Sequence, residues 1–129
     1  RRIRVRYRGE LAQGQVRPTF ARYDAFVFPT RGENFGHVIA ESLSVSCPVI
    51  CSAETPWNEV LTSGGGAVVR SDRPKELGAE LQRIAAMSPA QRLRARESAG
   101  AAYRTWRAGV ASSNILDQVL RTTLSAATA

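Results

Sequence analysis

Two short apolar runs, Ala25-Phe26-Val27-Phe28 and Pro48-Val49-Ile50-Cys51, constrain the fold of this chain more than any other feature. Each is rich in aromatic or β-branched residues, and neither alternates apolar with polar positions. Runs of this kind suit strands buried on both faces, which belong to parallel sheets covered by helices. The segment between them supplies such a cover, because residues 36–45 (GHVIAESLSV) read as a helix. A further short helix is expected from Pro56 through TPWNEVL, ended by Gly64-Gly65-Gly66 before a third strand at Ala67-Val68-Val69. Beyond Pro74 the pattern is helical, with breaks expected near Ser88-Pro89 and near Gly109. The class is therefore α/β, a Rossmann-like parallel sheet with flanking helices. At 129 residues it is one domain, 1–129, and residues 88–129 are its C-terminal helices.

The N-terminal stretch follows a different rule. Ile3, Val5 and Tyr7 alternate with Arg4, Arg6 and Arg8 and stop at Gly9, which predicts an edge strand with one wet face. Residues 15–22 (QVRPTFAR) are expected to form a short helix, with Pro18 tolerable only near its first turn.

The net charge of +7 raises the question of nucleic acid. Residues 1–31 hold eight Arg against two acids and residues 88–129 six Arg against two, while the middle is net negative. Neither an RNA-binding aromatic strand pair, nor a recognition helix, nor a zinc finger accompanies the charge, so specific nucleic-acid binding is not expected. The basic ends leave room for a peripheral contact with anionic lipid. No run approaches a membrane span, and cytoplasm is the default location. Cys47 and Cys51 flank Pro-Val-Ile and read as core thiols, not as a metal pair.

The chemistry concentrates in PTRGENFGHVIAE, residues 29–41. Gly36 falls where the helix begins, so the N–H groups near His37 and Val38 lack intrahelical acceptors and suit a phosphate or other anion. Glu33 lies in the loop before the helix, and Glu41 lies about 6 Å along the axis from His37. Carboxylates accept hydroxyl donors, and sugars and riboses are rich in hydroxyls. The residues alone leave a plainer alternative open, in which Glu33 caps the helix or pairs with Arg31 and Glu41 is solvated. One His and two acids at this spacing are not a usual metal set, so no metal is expected.

From Val5 to Val69 the chain resembles the C-terminal, donor-binding domain of the retaining GT-B glycosyltransferases of group 1 (family 4). The resemblance is carried by Gly9, by Tyr23-Asp24-Ala25-Phe26-Val27-Phe28-Pro29-Thr30, by Glu33-Asn34-Phe35-Gly36 with Glu41, and by Cys47-Pro48-Val49-Ile50. It implies transfer of a sugar from a nucleotide-diphosphate sugar donor, with that donor as substrate and no cofactor. Glu33 would approach the donor sugar at the reacting carbon, and Glu41 would hydrogen-bond the ribose. Thr30, Asn34, Phe35, Gly36, His37 and Val38 would lie along the donor, with Thr55 of the loop 52–57 close by. A binding module derived from the same fold is the alternative.

The resemblance also has gaps. Ser46 stands where a glycine is usual, which implies a less constrained turn. The strand–helix units that precede Val5 in the family, their basic pair and the acceptor domain have no counterpart, so the chain reads as part of a larger enzyme and is expected to be inactive alone. Ile3–Tyr7 would then slide beside Ala25–Phe28 to end a shortened four-stranded sheet, that open edge would pair with a second copy, or the domain would fold poorly.

Overall fold

Every residue from Cys47 to Ser52 is buried, and the rest of the fold is arranged around that segment. The computed structural model describes residues 2–32, 35–112 and 115–128. Its elements are α1 (Gln13–Phe20), β1 (Phe26–Phe28), α2 (His37–Ser44), β2 (Val49–Ser52), α3 (Asn58–Val60), β3 (Gly66–Val69), α4 (Pro74–Ala85), α5 (Pro89–Ser112) and α6 (Ile115–Thr128). The three strands form one parallel sheet in the order β1-β2-β3. Phe26 is paired with Val49 and Phe28 with Cys51 on one side, and Val49 with Gly66 on the other. The α/β class expected from the apolar runs is the architecture observed.

Side chains alternate across the sheet, so Val49 and Cys51 share one face. There they pack with Ile39 and Leu43 of α2, Leu61 and Ala99, all fully buried, and with Trp57. Ile50 points the other way and lines a cavity with Ala67, Ile84 and Met87. The return from α2 to β2 is tight. Cys47 N–H donates to the Ser42 carbonyl at 3.1 Å and Ser46 N–H to that of Leu43 at 3.0 Å, the paired bonds of a Schellman cap. Ser46 takes the left-handed conformation that this cap requires, with φ 60°. The turn is thus held as a glycine would hold it, and the expectation of a looser turn is corrected.

The connection from α3 to β3 is a π-helical turn, Leu61–Gly65, which kinks at Gly64 with φ 128°. Gly66, at φ 157°, begins β3 where an added Cβ would fall 1.8 Å from the Val49 carbonyl oxygen. Only a glycine admits this approach. α5 then crosses the domain. Arg92 pairs with Asp24 at 3.0 Å, Arg96 donates to the carbonyls of Ala21 and Tyr23 at 2.8 and 2.5 Å, and Ser98 donates to that of Gly64 at 3.0 Å.

Three expectations fail. Residues 2–10 form no strand: Ile3, Val5 and Tyr7 are 91, 86 and 93% exposed, and the sheet has three strands, with β1 at its edge. Alternation says which face of a strand is wet but supplies no hydrogen-bonding neighbour. Burying three apolar side chains gains about 1.5–3 kcal/mol each. Ordering nine backbone residues costs about 1–2 kcal/mol each, and the cost wins. Pro18 lies in the second turn of α1, not the first. So short a helix loses only the one bond that Pro18 cannot donate to Gly14. Gly109 does not break α5, which runs through it to Ser112. Its position is exposed, where glycine costs only about 1 kcal/mol relative to alanine.

Candidate functional site

In a parallel sheet all strands end at one edge, so Phe28, Ser52 and Val69 deliver their following loops side by side. Hydrogen bonds tie these loops to one another. Ser52 Oγ donates to the Thr30 carbonyl, and Trp57 Nε1 donates to that of Phe35, joining the loop after β1 to the loop after β2. Ser71 Oγ donates to Glu54 at 2.7 Å, joining the loops after β2 and β3. That bond, with the backbone N–H of Glu54 itself, holds the Glu54 carboxyl below its usual range.

α2 rises from this rim. Its N-cap is Gly36, left-handed at φ 77° and ψ 55°, and no side chain caps the helix. The Gly36 carbonyl accepts the Ile39 N–H at 2.9 Å, so the amides of His37 and Val38 come before the first intrahelical bond. Glu41 follows His37 by one turn and is half-buried. Gln13 Nε2 of α1 donates to Glu41 Oε1 at 2.8 Å, while Arg17 Nε donates to Ser44 Oγ at 3.0 Å, so α1 is stapled along α2. His37, Ala40 and Glu41 line a surface depression of about 300 Å³ with Gln13, Arg17 and Tyr103.

Aromatic rings back the rim. Phe35 is 42% exposed, and its ring lies 4.5 Å from His37, 5.9 Å from Trp57 and 6.4 Å from Trp106. Trp57 and Trp106 are 4.5 Å apart, with Tyr103 a further 5.7 Å from Trp106. Thr55 is buried, its hydroxyl accepting the Trp57 N–H at 3.3 Å. Beside it, burial pushes the Cys51 thiol up, against a smaller pull from the Thr55 hydroxyl.

Of the residues singled out in the sequence, Phe35, Gly36, His37, Val38 and Glu41 are contiguous along the start of α2. Thr30 stands at the head of the same loop, where its hydroxyl donates to the Gly32 carbonyl at 2.9 Å. Thr55 belongs to the neighbouring loop and faces inward. Glu33 and Asn34 lie outside the described residues. No local pattern pointed to Gln13, Tyr103 or Trp106, which reach the site from α1 and α5.

A family model for group 1 glycosyl transferases matches residues 2–101. The chain belongs to the group 1 glycosyltransferases. The match takes in α1 through the first half of α5, and with it the three loops at the strand ends, and stops before Tyr103 and Trp106. No curated protein matches the chain at a significant level. Sugar transfer is thereby the general activity of this domain's family. Among the described residues, no helix of this glycosyltransferase domain is long and apolar enough to cross a membrane.

Proposed function

We propose that this group 1 glycosyltransferase domain binds the nucleotide-diphosphate sugar donor and takes part in a transfer that retains anomeric configuration. In that reaction the bond from the sugar's anomeric carbon to the diphosphate oxygen breaks. A bond to an acceptor oxygen forms on the same face, the acceptor's proton is lost, and the nucleotide diphosphate leaves. One observation carries the reading: Glu41 sits one turn inside an uncapped helix that starts from a left-handed glycine at the carboxyl edge of a parallel sheet. Ligands of open α/β sheets gather at that edge. The uncapped helix start attracts the diphosphate, and the Glu41 carboxylate accepts from the ribose hydroxyls.

Gln13 fixes one Glu41 oxygen and so presents the carboxylate in one orientation. Glu33 is assigned to the donor sugar, on the family pattern of two acids around the helix start. Transfer also needs a closed cleft that positions the acceptor.

Calorimetry of UDP and GDP binding to the full-length protein tests the assignment of Glu41. E41A is expected to lose about 1–3 kcal/mol of nucleotide affinity, the scale of a charged hydrogen bond. Equal affinity in wild type and variant defeats it. E33A should instead lower turnover far more than it weakens nucleotide binding, and near-normal turnover removes Glu33 from the mechanism.

A further inference from the structure

We propose that Trp57 is a positioning residue for the donor site, its indole N–H holding the Phe35–Gly36 peptide in the orientation from which α2 starts. The inference rests on the donor reading above and adds a residue that touches no substrate.

Trp57 is 2% exposed, and its indole N–H donates to the Phe35 carbonyl. An unmet N–H there costs more than the bond gains, which makes the contact hard to give up. The indole cannot swing away. Trp106 packs against it at 4.5 Å, and the Phe35 ring meets it edge-on at 5.9 Å.

The consequence follows from peptide geometry. The chain has no cis peptide bonds among its described residues, and in a trans peptide the C=O and N–H point in opposite directions. A Phe35 carbonyl held against Trp57 therefore aims the Gly36 N–H away from the loop after β2. The left-handed Gly36 then turns the chain directly into α2. Among the described residues, only two hydrogen bonds join the loop 29–36 to the next loop. Ser52 holds its start at Thr30 and Trp57 holds its end at Phe35. The second sets the direction of the amides that face the ligand.

Trp57→Phe keeps an aromatic ring in the core and removes the N–H. Ile84→Val changes the packing on the opposite face of the sheet and leaves the N–H in place. In the full-length protein, W57F is expected to speed amide hydrogen exchange at Ile39 and Ala40, which donate to the Gly36 carbonyl, at least about tenfold. It should also raise the Kd for UDP or GDP about five- to tenfold, the change expected for one lost hydrogen bond. I84V should move neither by more than about twofold, a benchmark for packing effects alone. Should W57F fail to fold, 3-benzothienylalanine at position 57 repeats both measurements with the indole's shape and no N–H.

Unchanged exchange at Ile39 and Ala40 overturns the proposal. So does faster exchange with an unchanged Kd, since the turn would then be irrelevant to the ligand. A wild-type protein that binds neither nucleotide defeats the donor reading instead, while the exchange data still decide whether Trp57 holds the turn.

Discussion

Val49–Ser52 and Ile3–Tyr7 are both short segments with good strand formers, yet one is the centre of the sheet and the other is in no sheet. β2 has β1 and β3 on its flanks and is buried on both faces. Ile3, Val5 and Tyr7 are as fit for a strand by residue type, and they stand in solvent. What separates the two is neighbours rather than propensity. A strand is stabilised by cross-strand pairs and by the surface it covers, and residue preference contributes little without them.

The sharpest way to break the contrast is at the seam between β2 and β3. G66A forces a Cβ against the Val49 carbonyl oxygen, which no side-chain movement relieves. It is expected to cost upwards of about 4 kcal/mol, at the extreme of single substitutions. A denaturation midpoint close to wild type would mean that β3 does not sit where it is described. Next in size is the paired comparison of I50A with V5A. Truncating buried Ile50 should cost about 2–5 kcal/mol. Truncating exposed Val5 should stay within about 0.5 kcal/mol. Equal losses in the two variants would erase the distinction between the segments.

The smallest expected effect is a pH dependence. Burial holds the thiols of Cys47, in the turn before β2, and Cys51, within β2, above their ordinary value. A raised folded-state pKa stabilises fully while the unfolded thiol is still protonated, and the contribution is lost as pH rises through the folded value. Stability should therefore fall in the alkaline range, and the C47A/C51A double variant should show a shallower fall. Identical slopes for the two proteins would show that these thiols are not sealed in the core.

The same contrast explains what was legible in the sequence. β1, α2, β2 and β3 were readable because apolar runs stop at Pro29, at the Ser46 turn and at the glycines before Ala67. Burial and chain punctuation there point the same way. Residues 2–10 were misread because a two-residue period is a property of one strand, whereas pairing is a property of two. The group 1 pattern located the start of α2, since glycine and carboxylate at that spacing have a local geometric meaning. The contacts that orient the site were illegible. Gln13 reaches Glu41 across 28 positions and Trp57 reaches Phe35 across 22, and neither spacing leaves a periodic trace. Ser46 hid a left-handed turn behind a residue that seldom adopts one.

α5 has a mechanical consequence. Arg92, Arg96 and Ser98 pin it beneath the sheet, where β1 and β3 begin, and Trp106 pins it to Trp57 where the strands end. About 21 Å of helix separate Arg92 from Trp106. A strut fixed at both ends carries load between them, so a twist applied to the aromatic rim is borne by the anchors under the sheet.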